Sequence, residues 1–171
     1  MKKLSVLAAC ALVLISSAAL FAQSKTSMDY LMEGSQFYLN RDYKRAIPLY
    51  QKALDLEKQD RKLERKFWLV LVDNLAMAYG ITGDIKSSQA VLEYGISIEP
   101  TYPMFHYNMA CGYGELGDED NAINSLRSAY KYKSNMIPGE RLPDPMNDSS
   151  FAKFTDSEKF TKAVAEMKRG K

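Results

Sequence analysis

Two stretches of the chain repeat one another at a fixed interval. Asn74-Leu-Ala-Met-Ala-Tyr79 precedes Gly83-Asp84, and Asn108-Met-Ala-Cys-Gly-Tyr113 precedes Gly117-Asp118. Matched residues lie about 34 positions apart, a period that points to stacked helix–turn–helix units. Ala76 and Ala110 are small where two helices must approach, and Tyr79 and Tyr113 follow about one turn later to fill the groove between them. Gly83 and Gly117 can end a helix in the left-handed conformation that other residues resist. Asp84 and Asp118 then suit the N-cap of the next helix. In the second helix of each unit Leu92 matches Leu126 and Gly95 matches Ala129. Pro100 closes one unit where a helix has to stop. The next has Ser134 there, so its second helix is expected to run on towards Pro138.

An earlier unit follows the same spacing. Gly34 and Phe37, then Asp42, Ala46, Tyr50 and Ala53, predict helices over 27–39 and 43–58. Glycine within a helix costs about 1 kcal/mol against alanine, so Gly34 implies close packing. Pro48 falls near enough to a helix start to be tolerated with a kink. Gly34 to Ala76 exceeds one period by about eight residues, and the surplus lies in Lys58-Gln-Asp-Arg-Lys-Leu-Glu-Arg-Lys66. Mixed charge at helical spacing predicts a solvated face on flanking helices that are about two turns longer and project from the array. The alternative is a basic docking knob of Arg61, Lys62, Arg65 and Lys66. Further helices are expected at 63–81, 85–98, 103–115 and 119–132, each with apolar residues at i, i+3, i+4 and i+7.

These motifs resemble the tetratricopeptide repeat. The resemblance implies an all-α fold: a superhelical array of three helix–turn–helix repeats, at about 27–60, 69–102 and 103–136, with a C-terminal capping helix. The Pro-, Gly-, Asn- and Asp-rich stretch up to residue 150 reads as a loop, assigned to 137–150. Within 151–171, Thr155-Asp-Ser-Glu158 reads as a capping box ahead of an amphipathic helix over 156–168. That helix, with Phe151 and Phe154, would cover the last apolar face, as repeat arrays require. The resemblance also implies a concave groove lined by the first helix of every pair. Its lining would be Leu31, Ser35, Tyr38 and Leu39 in the first repeat, then Asp73, Met77, Gly80 and Ile81. The third repeat would add Tyr107, Cys111, Gly114 and Glu115. Chaperone-binding members of the family hold a C-terminal carboxylate with basic and Asn residues. Asn74 and Asn108 fit the Asn part, but Leu31, Ser35 and Tyr107 supply no cation, so that clamp is incomplete. The expected function is a non-catalytic adaptor or scaffold that binds a protein or peptide partner in the groove. Two alternatives are a structural subunit, its groove filled by loop 135–150 or another copy, and a transport accessory holding a small hydrophobic ligand.

Catalytic chemistry has little to work with. His106 is the one histidine, placed in a helix's first turn where a packing role is expected. One histidine and two cysteines give no zinc spacing, and no strand precedes a Gly-rich phosphate loop. No cofactor, metal or enzymatic activity is expected. A formal charge of +2 gives no bulk attraction to nucleic acid. Met1-Lys-Lys3 followed by the apolar run Leu4 to Ala22 predicts a secretory signal peptide over 1–22, removed to give a periplasmic protein. Its two lysines account for the whole formal charge. A retained anchor is one alternative; another is a lipoprotein anchored through Cys10 of Leu7-Ala-Ala-Cys10. The stretch from Lys3 to Cys10 is short for such a signal and the apolar run continues past it. Membrane contact is thus expected only through the signal segment or a lipid on Cys10. Cleavage near Ala22 leaves Cys111 as the sole cysteine, without a disulfide partner in the chain.

Overall fold

The computed structural model describes residues 25–170; the expected signal segment and Cys10 lie outside them. Seven helices follow in order: α1 (Ser27–Leu39), α2 (Tyr43–Gln59), α3 (Arg65–Ile81), α4 (Ile85–Ile98), α5 (Pro103–Leu116), α6 (Glu119–Lys131) and α7 (Glu158–Lys168). Short 3-10 turns occupy Lys133–Asn135, Pro145–Asn147 and Ser149–Phe154. There is no strand among the described residues. Helices α1/α2, α3/α4 and α5/α6 pack as hairpins, and α1, α3 and α5 touch in succession. No helix among the described residues is long and apolar enough to cross a membrane.

One turn, used three times, sets this geometry. The amides of Asp42, Asp84 and Asp118 donate back to the carbonyls of Phe37, Tyr79 and Tyr113 at 2.8, 2.9 and 2.9 Å. That closes each first helix in a Schellman arrangement. The same three carboxylates then accept from the amides of Arg45, Ser87 and Asn121 and start the second helix. The preceding residue must be left-handed: Gly83 has φ 87° and Gly117 φ 77°. The first repeat places Arg41 there, at φ 59°, a strain of about 1–2 kcal/mol for a side chain with a Cβ.

The core falls into two apolar clusters. Tyr50, Leu54, Trp68, Leu75, Leu92, Tyr102 and Phe105 centre the first, and Tyr107, Leu126, Phe151, Phe160 and Val164 the second. A Cβ on Gly34 would lie 2.8 Å from the Tyr50 ring, and one on Gly95 2.8 Å from Val72 Cγ1. Both glycines therefore sit where neighbouring helices touch. Pro48 is accommodated inside α2, where it removes one ladder hydrogen bond.

Three expectations about the connections need correction. The surplus near 58–66 does not project as two extra turns. Helices α2 and α3 have 17 residues each against 14 in α4 and α5, about one turn more, and the rest folds back as a turn with Leu63 buried. Glu57 causes this. Its buried carboxylate accepts from Ser27 Oγ at 2.5 Å, Lys62 N at 3.1 Å and Leu63 N at 3.0 Å. Helix α6 stops at Lys131 instead of running towards Pro138, and turns through Lys133–Asn135. The Thr155–Glu158 box does not form either. Ser157 is the N-cap of α7, while the Thr155 hydroxyl donates to the Ala152 carbonyl to finish the preceding 3-10 turn. Phe151 and Phe154 are fixed in the core by that turn, which moves the helix start two residues on.

Candidate binding groove

The first helices of the three repeats enclose a cavity of about 760 Å3. Tyr38 of α1, Asp73, Met77 and Ile81 of α3, and Tyr107, Cys111 and Glu115 of α5 all line it. Leu31 and Ser35, assigned to the same lining from sequence, do not. Leu31 is 2% exposed and packed in the first core cluster, captured by the apolar contacts of α1 with its neighbours. The Ser35 hydroxyl donates back to the Leu31 carbonyl at 2.8 Å and accepts from Tyr50 Oη at 3.2 Å, which holds it towards α2. Leu39 stands outside the lining and is 81% exposed at the end of α1.

The opposite wall comes from a part of the chain that the repeat pattern does not reach. Residues 137–150 form a strap that contributes Pro143, Asp148, Ser149 and Ser150 to the cavity. Asp148 fastens it: one carboxylate oxygen accepts from Tyr107 Oη at 2.9 Å and from Cys111 Sγ at 3.8 Å, the other from the Ser150 amide at 3.0 Å. Glu140 accepts from Tyr102 Oη at 2.8 Å, and Lys168 of α7 pairs with Asp144 at 2.6 Å. Gly114 is covered. A Cβ there would collide with the Ser150 carbonyl oxygen and lie 3.1 Å from Phe151 Cδ1. Tyr107 is only 1% exposed beneath the strap. The chain's own loop thus closes one end of the groove and leaves the rest open.

Charge in the groove is of one sign. Asp73, Glu115 and Asp148 line it, and no lysine or arginine among the described residues does. Burial, then the nearby Glu140 carboxylate, pushes Asp73 up to about 7, against a lowering hydrogen bond from Asn108. That bond runs from Asn108 Nδ2 to Asp73 Oδ1 at 2.7 Å. The Cys111 thiol is pushed well above its usual range by burial, and next by the charge of Asp148. It stays protonated, so it lacks the thiolate that nucleophilic chemistry requires. His106 Nε2 donates to the Pro100 carbonyl at 2.8 Å and its ring rests near Tyr132, a packing role.

Helices α5 and α6, with the turn that follows, match the family model for the tetratricopeptide repeat over residues 105–136. PcrH from Pseudomonas aeruginosa superposes with a TM-score of 0.57 at 15% identity, covering 84% of this chain and 89% of that one. The family model covers one helix pair, and the superposition shows that the array as a whole shares the fold of PcrH. No curated protein matches the chain.

Within this helical array the two Asn residues are taken up by contacts between helices. Asn74 Nδ2 donates to Tyr50 Oη at 3.3 Å, and Asn108 is held on Asp73. Neither is free for a carboxylate ligand, in line with the incomplete clamp. Of the basic knob's four residues, all exposed, three make ion pairs within the chain. Arg61 stacks on Trp68 and, with Arg65, pairs with Glu99 at 3.4 and 3.0 Å; Lys62 pairs with Asp60 at 2.9 Å. Sequence reasoning missed Glu57, Glu140 and Asp148. Glu57 did leave a signal, since an acid on the apolar face after Ala53 and Leu54 needs buried donors. Asp148 before Ser149-Ser150 is an N-cap pattern too, but its partners on α5 are remote in sequence.

Proposed function

We propose that the chain is a non-catalytic adaptor whose concave groove holds a segment of a partner protein. The observation that carries this reading is the cavity formed jointly by all three repeats, walled by Tyr38, Met77 and Ile81. Ile81 is half exposed at its rim. Exposed apolar side chains around a concave surface mark a protein contact more often than not, and stacked helical repeats present such surfaces to peptides. The groove's side chains suit binding better than turnover, with the Cys111 thiol held neutral and Tyr107 and Asp148 engaged with each other.

Combined replacement of Tyr38, Met77 and Ile81 by alanine tests the proposal. Tyr107 is left in place because it anchors the strap. Crosslinked partner recovered with the tagged native chain is expected to fall at least tenfold while far-UV circular dichroism shows the variant folded. Some loss of Tm is expected because Tyr38 packs on Tyr43 and Tyr50. Undiminished recovery would overturn the reading. The strap over Gly114 favours a narrower version of the self-filled groove, in which the chain supplies one wall and the partner the contents. We also propose export to the periplasm with cleavage after Ala22, supported by Lys2, Lys3 and the apolar run behind them. The mass of the mature N-terminus separates this from lipidation at Cys10.

A further inference from the structure

We propose that the segment held in the groove carries a lysine or arginine side chain, set among apolar residues, that ion-pairs with Asp73 on the groove floor. This deepens the adaptor reading and rests on it.

The lining sets the chemistry. Met77, Ile81, Ile85 and Met104 give it apolar surface, and Asp73, Glu115 and Asp148 give it three carboxylates without a lining cation. Two cations of neighbouring segments are engaged elsewhere. Arg65 is held by Glu99 at 3.0 Å, and Lys153 Nζ donates to the Glu115 carbonyl at 2.7 Å. Asp148 is satisfied by Tyr107, Cys111 and the Ser150 amide, so it serves the strap. Asp73 differs: Asn108 takes one oxygen, and the other has no hydrogen-bond partner among the described residues while the side chain lines the cavity. The side chain is only partly buried, so this oxygen is open to the cavity with no cation beside it. An incoming ammonium or guanidinium would supply the missing countercharge and a charge-assisted hydrogen bond to that oxygen.

Apolar side chains supply the second half of the match. Ile81, 51% exposed, stands at the mouth of the cavity with Met77, Ile85 and Met104 along the same lining, so the residues flanking the cation are expected to be apolar.

The groups facing Asp73 are Tyr38 from α1, Tyr102 and Asn108 at and within α5, and Glu140 from the strap. None is a cation. A bound cation would favour ionised Asp73, so binding is expected to release a proton and to weaken between pH 8 and pH 5.5.

The test is selection of a random 12-residue peptide display library on the immobilised full chain, wild type and Asp73→Asn, with Met77→Glu as the groove control. Melting temperatures at pH 8 verify that each variant is folded. Wild type is expected to enrich peptides with one Lys or Arg beside apolar residues. Changing that residue to Gln should weaken the best binder about tenfold or more, and the preference should vanish on Asp73→Asn. Two results would overturn the inference and leave the adaptor reading standing: enriched apolar peptides without a cation, or a basic preference that survives Asp73→Asn. Failure to enrich any peptide, or binding untouched by Met77→Glu, would overturn the adaptor reading and this inference with it.

Discussion

Gly80 and Gly114 occupy equivalent places in successive repeats, yet replacing each by alanine is expected to have opposite effects. Alanine is favoured over glycine in a helix by up to about 1 kcal/mol, so the surroundings decide the sign. At Gly80 a new Cβ would meet only Ser88 Oγ, at 3.6 Å, an ordinary contact. Gly80→Ala should therefore stabilise by ~0.5–1 kcal/mol. At Gly114 it would strike the backbone carbonyl of Ser150. That carbonyl cannot turn aside like a side chain, because Asp148 is tied to Tyr107 at 2.9 Å and Phe151 is fully buried. Overpacking of this kind costs about 1–3 kcal/mol. Lifting the strap instead would uncover Phe151, which is no cheaper, since losing a buried phenylalanine costs about 3–5 kcal/mol. The net expectation for Gly114→Ala is a loss of ~1–2 kcal/mol, or roughly 2–8 °C in Tm. Urea unfolding followed by far-UV circular dichroism measures both variants. Fluorescence of the buried Trp68 gives a second probe of whether the transition is two-state. If both changes stabilise, or both destabilise equally, the strap does not lie over Gly114 and the described groove is wrong.

Other perturbations follow from single features. Arg41→Gly relieves a left-handed backbone at φ 59° and should stabilise by about 0.5–1 kcal/mol in the same urea assay. Glu57→Ala strands the amides of Lys62 and Leu63, at an expected cost of about 2–4 kcal/mol; a cost below ~0.5 kcal/mol would refute its organising role. Asp73 has its carboxyl raised from the usual carboxylate range to about 7. The folded state therefore holds this proton more tightly than the unfolded chain. Its contribution to stability is complete below about pH 4 and is lost as pH rises through about 7. Asp73→Asn should be the more stable protein at pH 8, by at most ~4 kcal/mol, with no advantage at pH 4. Truncation after Asn147 removes Phe151, Phe160 and Val164 from the second core cluster, and should yield an aggregating chain; a soluble product with unchanged Tm would refute the capping role of α7.

The fold was legible because its determinants are local and recur. The Gly-Asp turns, the small residue facing the partner helix and the aromatic one turn later each act within a few residues, so their spacing survives in the chain. Most of the groove follows from the same logic, since residues at one phase of equivalent helices share a face. Leu31 escaped it because its position on α1 packs into the first core cluster, while Met32 and Leu39 of the same helix stay exposed. The strap was illegible for a different reason. Asp148 with Tyr107, and Glu140 with Tyr102, are contacts across about forty residues that belong to no repeat. Composition alone reads residues 137–150 as loop, without saying what they lie against. The charged run misled because its periodicity suggested a solvated helix, while Glu57, one residue before it, gathers the chain inward.

Site-specific photocrosslinking bears most directly on the central claim. A benzoylphenylalanine placed at Met77, on the groove wall, is compared with one at the exposed Glu93 of α4, outside the cavity lining, in the native host. The account predicts one heterologous partner joined at Met77 and none at Glu93. Equal crosslinking at the two positions, or a partner captured only at Glu93, would contradict it.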